Sequence, residues 1–252
     1  MKAKALQQLM IAKSFIAEDY ERYVRNIPLK QQLYLSWLDK DYLISLVLIP
    51  NLPMDSCTDN ALKRIYGASQ VVQFTYLAQQ VHNQVPPVGE KEDYQYPILI
   101  GDYLFAKAYE AMIKNDLSTW LDALGDVICR MNEARNGKLK WSERGFVPLE
   151  ERLEEINGEY AHLPALAGLI GATLAGLEGE AKEAMAGFGY YSGIMQGLIK
   201  EKLNLKPNYL ENCESYLAML PAKLAADLRL LVLEPLLNCF GMPKSNTVSK
   251  SL

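Results

Sequence analysis

The stretch ILIGDYLFAKAYEAMIKN, residues 98–115, holds the strongest structural signal in this sequence. Its side chains Leu104, Ala108, Ala111 and Met112 recur at the spacing that places them on one face of an α-helix. A strand would need apolar residues at every second position, and no such alternation is sustained in the chain. The stretch therefore predicts a helix, and its neighbours along the chain extend the same pattern.

The helical pattern continues on the C-terminal side of this stretch. Residues 116–138 predict a helix that begins at a capping Asp116 and ends at the Asn136-Gly137 pair. Residues 180–205 carry an apolar stripe at helical spacing and predict another helix. Residues 214–240 are apolar and helix-prone, and we expect Pro221 and Pro235 to break or kink them.

Together these patterns predict an all-α fold. We expect roughly eight to ten helices in one helical domain, residues 1–243, because no linker or shift in composition separates two domains. The polar end of the chain, residues 244–252, is predicted to be a flexible tail. No internal repeat is present.

Composition excludes several classes of function. The net charge is -4 and there is no basic tract, so we expect no nucleic-acid partner. No apolar run approaches the roughly 20 residues that span a bilayer, so no transmembrane segment is predicted. Lys13 interrupts any apolar region near the N-terminus, which argues against a signal peptide and favours a cytoplasmic protein. The four cysteines have no C-x-x-C spacing, which argues against a structural zinc site.

Small side chains are concentrated in PALAGLIGATLAGLEGE, residues 164–180. Alanine and glycine at helical spacing let two helix backbones approach closely. The segment is short and flanked by Glu159 and Glu178, which favours close packing inside a water-soluble bundle over association of helices in a membrane.

Three stretches together resemble the trans-polyprenyl diphosphate synthases, the helical enzymes that build farnesyl and longer isoprenoid diphosphates. ILIGDYLFAKAYEAM is similar to that family's A-I-L-x-G-D-x-L-x-x-x-A helix, and LIGATLAG, residues 169–176, is similar to its G-A-x-L-A-G. FGYYSGIMQGLIKEKLN, residues 188–204, resembles the helix that leads into the second acidic motif. LAQQVHN, residues 77–83, falls where the family has its first. The resemblance implies a single-domain isoprenoid-synthase-type bundle around a central apolar cavity.

The resemblance also implies a chemistry that this sequence lacks. The family holds Mg²⁺ with two D-D-x-x-D motifs, because this ion prefers hard carboxylate oxygens and bound phosphate. At the first motif the sequence has His82 followed by Asn83, Gln84 and Pro87 at the acid positions. At the second motif the matching positions are Gln196, Lys200, Glu201 and Asn204. Only Glu201 is an acid, so we expect no metal ligands, no cofactor and no catalytic residue.

The diphosphate-binding segments of the family also lack counterparts. The basic R-R-G-x-P segment after the first motif is replaced by VGEKEDYQYP, residues 88–97, which is shorter and acidic. Asp102 matches a position of the family's Gly-Asp helix; we treat it as a candidate polar residue of the cavity, with a cap or a structural hydrogen bond as the preferred role. The carboxylates of Glu150, Glu151, Glu154 and Glu155 are interpreted as a solvated helix face.

These features favour a non-catalytic or regulatory subunit of a heteromeric polyprenyl diphosphate synthase, such as one that makes the side chain of menaquinone. The expected partner is a motif-complete synthase subunit or a second copy of this chain, and an isoprenoid chain is a further candidate ligand. The alternatives are a stand-alone isoprenoid-binding protein, an enzyme with altered chemistry, and an active prenyltransferase with atypical metal and diphosphate ligands.

One surface is a candidate for the contact between subunits. The segment from Asp116 to Arg135 places Trp120, Leu121, Leu124 and Ile128 on one side. We expect this stripe, with the face from Ala108 to Met112, either to pack in the core or to contact the partner.

Overall fold

A computed structural model describes residues 41–52, 57–83, 95–141 and 146–242, and all regular structure in these ranges is helical. The predicted tail, residues 244–252, lies outside them. The α-helices are α1 Tyr42–Leu48, α2 Asp59–His82, α3 Gln95–Lys114, α4 Leu121–Trp141, α5 Leu149–Ile156, α6 His162–Leu174, α7 Gly179–Lys200, α8 Pro207–Ala218, α9 Ala222–Leu228 and α10 Glu234–Cys239. Short 3₁₀ turns at Ile49–Asn51 and Ser118–Trp120 and π-helical turns at Asn157–Ala161 and Arg229–Leu233 join some of them. The prediction of an all-α fold is confirmed.

Helix α3 confirms the prediction from the opening stretch. Leu104, Ala108 and Met112 are completely buried and pack against α2 in the main core. Helix α2 itself begins where the side-chain oxygen of Thr58 accepts a hydrogen bond from the backbone N–H of Ala61, a normal N-cap. Nearly every side chain between Val71 and Val81 is buried, so α2 lies in the interior of the bundle.

The boundaries predicted for α4 were wrong at both ends. Asp116 does not cap the helix: it follows α3 with a φ of 54°, and α4 starts at Leu121 after a 3₁₀ turn. The Asn136-Gly137 pair does not stop the helix, which continues to Trp141. A Cβ atom on Gly137 would lie 2.6 Å from Oε1 of Glu155. The glycine therefore allows the Glu155 side chain to approach α4 closely and does not mark a turn.

Close packing of α6 against α7 confirms the interpretation of the small residues. A Cβ atom on Gly168 or on Gly189 would lie less than 3.0 Å from a backbone oxygen of the facing helix. Gly171 faces the backbone of α1 in the same way. Glycine is required at such positions because any side chain would push two backbones apart.

The C-terminal prolines act as predicted. Pro221 precedes α9 with an extended ψ of 135°, and Pro235 lies in the first turn of α10, directly after a π-helical turn. No helix in the described ranges is both long and apolar enough to cross a membrane. The central apolar cavity stays a prediction.

Candidate functional site

His82, the first residue of the first-motif positions, contacts α3. Its Nε2 atom lies 3.3 Å from the backbone oxygen of Ile98 and 3.3 Å from Oδ1 of Asp102, and its ring lies against Phe105. Gly101 makes this contact possible, because a Cβ atom there would collide with the imidazole ring. Asp102 is 65% exposed. It therefore lies on the exposed side of α3, and its contact with His82 agrees with the structural role that the sequence favoured over a cavity position.

Asn83, the next residue, points away from α3 and contacts α4 and the π-helical turn at Asn157–Ala161. Its side-chain amide donates a hydrogen bond to Oε1 of Glu159 at 2.6 Å, and its backbone oxygen accepts one from Arg135 at 2.9 Å. The amide of Gln79 donates to the side-chain oxygen of Asn83 at 3.3 Å. Asn83 thus connects α2 to α4 and to the π-helical turn. Gln84 and Pro87, the remaining first-motif positions, lie outside the described residues.

The second-motif positions do not share one helical surface. Gln196 is buried on α7 and Lys200 is the last residue of that helix. Glu201 follows as the C-cap, and Lys202 adopts a φ of 54°. The N–H of Leu203 then bonds to the oxygen of Leu198, and that of Lys202 to the oxygen of Ile199.

These two bonds form a Schellman-type helix end. Because the helix stops at Lys200, Asn204 lies beyond it and is exposed. Within a helix, two residues three positions apart lie on one face. Glu201 and Asn204 have this spacing but lie beyond the end of α7, so their side chains are not brought to one face.

Glu201 instead belongs to a cluster of charged side chains, which we call the ion-pair network. Lys138 from α4 forms an ion pair with Glu201, and its Nζ atom lies 3.9 Å from Oε2 of Glu159. An Arg152 nitrogen lies 3.8 Å from Oε2 of Glu201. The network thus joins α4, α5, the first π-helical turn and the end of α7. Its members are Arg135, Lys138, Arg152, Glu155, Glu159 and Glu201.

The network contains basic and acidic side chains in equal number, and the side chains of its ion pairs are between 3% and 36% exposed. Its three basic side chains face three carboxylates. Burial raises the pKa of Glu159, whose side chain is only 3% exposed, against the opposing effects of Lys138 and Arg135. Burial also raises the pKa of Glu155, to about 7, and Lys138 again opposes the shift. The pocket between these side chains measures about 10 Å³, room for one water molecule.

A second surface lies on the outer side of α3. Its exposed side chains are mostly apolar: Ile98, Leu99, Tyr103, Ala106, Tyr109 and Ile113. We call these six the α3 face. Leu99 and Ile113 are 65% and 63% exposed. Among the described residues of this helix, Asp102 and Lys114 are exposed and charged, and the side chain of Glu110, which pairs with Lys107 and Lys114, is 39% exposed.

Of the two expectations for the stripe between Asp116 and Arg135, the structure shows packing in the core. Leu124, Ala108 and Met112 are completely buried, and Trp120, Leu121 and Ile128 pack against the same core. Their apolar stripe faces α2 and the rest of the bundle. The exposed apolar residues of this region lie on the opposite side of α3.

Comparisons with known proteins agree with this architecture, although no family model matches the chain. The structure of geranylgeranyl pyrophosphate synthase from Corynebacterium glutamicum superposes with a TM-score of 0.64, at 15% identity over 94% of this chain and 91% of that one. The chain has the all-α fold of the isoprenyl diphosphate synthases.

Two further structures with this fold come from heteromeric enzymes or their subunits. A mint heterotetrameric geranyl pyrophosphate synthase gives a TM-score of 0.61 at 17% identity, over 90% of this chain and 98% of that one. The geranyl diphosphate synthase small subunit of Antirrhinum majus gives 0.55 at 16% identity, over 93% and 99%. At these identities the likeness shows the fold alone.

In sequence, the chain is 28% identical to geranylfarnesyl diphosphate synthase of Natronomonas pharaonis over 151 residues. The match covers 56% of this chain and 44% of that relative, so the chain matches less than half of the relative's length.

Synthases with this fold are expected to hold Mg²⁺, and the described residues do not fit that ion. They contain no group of three or more histidine, cysteine or carboxylate side chains placed to bind a metal. Glu201, the one acid at the second-motif positions, already contacts Lys138 and Arg152. Asn83 directs its amide N–H groups, not an oxygen, at Glu159. Mg²⁺ requires an octahedral set of oxygen ligands, so no step of a metal-dependent reaction can be assigned to these residues.

Sequence reasoning missed most of the network. Glu155 was assigned to a solvated helix face, but its Oε2 atom is buried and has no hydrogen-bond partner. Arg135 and Lys138 lie three residues apart on α4, and Arg152 and Glu155 three apart on α5, so each pair shares a helix face. This spacing was visible in the sequence. The meeting of the two faces was not, because it depends on how α4 and α5 pack against each other.

Proposed function

We propose that this chain is a non-catalytic subunit of a heteromeric polyprenyl diphosphate synthase, acting in isoprenoid biosynthesis. The observation that carries the proposal is the ion-pair network. In this fold the ends of α2 and α7 are where the acidic motifs are expected, and here those ends are joined by protein side chains of both signs. Loss of pyrophosphate from an allylic diphosphate needs positive charge that is free to receive it. The positive charges of this network are compensated within the protein.

The structural neighbours support the same proposal. They include a heterotetrameric geranyl pyrophosphate synthase and the small subunit of another geranyl diphosphate synthase. A subunit with the fold but without the metal ligands would act through contact with a motif-complete synthase, whose product length or rate it would alter. A role in making the menaquinone side chain, and a location in the cytoplasm, are parts of this proposal.

The α3 face supplies the surface for that contact. Helix α3 buries Leu104, Ala108 and Met112 on one side and exposes apolar side chains on the other. Contiguous exposed apolar side chains often mark a contact with another protein, and the six residues of the α3 face form such a patch. We propose that the synthase subunit covers this patch, with the corresponding helix of the same fold lying against this face.

The proposal is tested by mixing the purified chain with a motif-complete synthase from the same genome. Size-exclusion chromatography should show a mixed complex, and the product length or rate of the synthase should change. A Leu99→Asp and Ile113→Asp double variant should prevent both effects, because it places two charges in the apolar contact. Lys223→Asp is the matched control: it changes an exposed residue on α9 and should leave the complex intact.

Independent elution, with an unchanged rate and product, would refute the subunit proposal. The stand-alone isoprenoid-binding protein would then become the leading hypothesis. A complex that forms equally well with the double variant would retain the subunit role but exclude the α3 face as the contact.

A further inference from the structure

Lys138 occupies the centre of the ion-pair network. We infer that its ammonium group is a fixed cation that takes the place of a bound divalent ion and makes this end of the bundle independent of such ions. The inference rests on the proposed function and deepens it. It explains how a chain without metal ligands holds the C-terminal ends of α2 and α7 together. It rests on side-chain geometry and charge.

The first step is the position of the ammonium group. Lys138 forms an ion pair with Glu201 at the end of α7 and lies 3.9 Å from Glu159 in the π-helical turn. It also opposes the rise in the pKa of Glu155 on α5. One side chain of α4 therefore acts on carboxylates from three other elements. A bound divalent cation would link protein segments in the same way.

The second step is the cost of removing it. Glu159 is a buried carboxylate, and buried charges are tolerated only when they are paired and hydrogen-bonded. Arg135 opposes the rise in its pKa through its charge, and Asn83 donates a hydrogen bond to it. Glu201 would keep only the longer contact with Arg152, at 3.8 Å. Without Lys138, three carboxylates would face two basic side chains.

The third step is size. The pocket holds about one water molecule. Mg²⁺ usually keeps several waters in its octahedral shell, whereas the Lys138 side chain already fills most of the space between these carboxylates. A primary ammonium is compact, offers three N–H donors, and is already attached to the protein. The Lys138 ammonium therefore supplies positive charge to the carboxylates whether or not Mg²⁺ is present in solution.

Thermal unfolding of the full chain tests the inference. The melting temperature of the unchanged protein should be the same in excess EDTA and in millimolar MgCl₂. Lys138→Met should lower it, and the loss should grow between about pH 6 and about pH 8, as the carboxyls of Glu155 and Glu159, whose pKa values burial raises, become charged opposite the missing ammonium; Glu151 and Glu201 add negative charge to the same cluster. A lysine that only packs its methylene groups would show no such pH dependence. Lys114→Met is the matched control, because this lysine is an exposed residue of α3. It should leave the dependence of the melting temperature on pH in this range unchanged.

A second variant keeps the test decisive if Lys138→Met does not fold. Lys138→Met combined with Glu201→Gln removes both partners of the ion pair and should recover part of the lost melting temperature. A rise in the melting temperature of the unchanged protein with MgCl₂ would overturn the inference, as would a Lys138→Met variant with the original pH profile. These measurements involve no synthase, so their failure is distinct from failure of the subunit proposal.

Discussion

Replacement of Gly193 by alanine should disturb the structure at the point where α7 meets the π-helical turn. An added Cβ atom would lie less than 3.0 Å from the backbone oxygen of Tyr160, 2.9 Å from Cγ of Pro164 and 3.1 Å from Cα of Ala161. A backbone oxygen cannot rotate away as a flexible side chain can, so α7 and the turn must separate. Overpacking of this kind costs about 1–3 kcal/mol, against a gain of up to about 1 kcal/mol from the helix propensity of alanine.

We therefore expect a net loss of about 1–2 kcal/mol for Gly193→Ala. This corresponds to a fall of roughly 2–8 °C in the melting temperature of a chain of this size. Calorimetry or circular dichroism at 222 nm measures it. The matched control is Gly125→Ala on α4, where a new Cβ atom would meet nothing within 4 Å; this variant should gain up to about 1 kcal/mol. A Gly193→Ala variant as stable as the original protein would refute the close contact between α7 and the turn.

Two further predictions concern the ion-pair network. Asn83→Asp replaces the amide that donates to Glu159 at 2.6 Å by a second carboxylate, and we expect denaturant unfolding to show a loss of about 1–3 kcal/mol; unchanged stability would contradict the hydrogen bond. Stability should also depend on pH, because folding raises the pKa of Glu155 from 4.5 to about 7. The folded chain then binds more protons than the unfolded chain in this window, so the free energy of unfolding should fall as pH rises from about 4.5 to about 7. Glu155→Gln should flatten that slope, and the same slope in the variant would contradict the assignment.

The sequence predicted the fold well because the signals for it are local. Leu104, Ala108 and Met112 repeat at helical spacing, and the structure buries all three on one face of α3. Gly168 and Gly171 marked close helix contacts, because small residues that destabilise a helix are explained by packing against another backbone. The same local logic failed at Gly137, where the glycine accommodates Glu155 from another helix and does not end its own.

The site was harder to predict because its members come from distant parts of the chain. The family resemblance placed Asn83 and Lys200 at positions where acids were expected. It did not show that Arg135 and Lys138 would face Glu159 and Glu201. The outer side of α3 was missed for a different reason. Its Leu99, Tyr103 and Ile113 complete a second apolar stripe, and periodicity alone cannot tell which stripe of an apolar helix faces the core.

The central proposal is that this chain, although it has the synthase fold, does not catalyse metal-dependent prenyl transfer by itself. The direct measurement is incorporation of labelled isopentenyl diphosphate into longer product by the purified chain, with an allylic diphosphate, in MgCl₂ and in EDTA. The account predicts no product above the blank in either condition. Turnover that requires Mg²⁺ and increases in proportion to the amount of this chain, in a preparation free of other synthases, would contradict it.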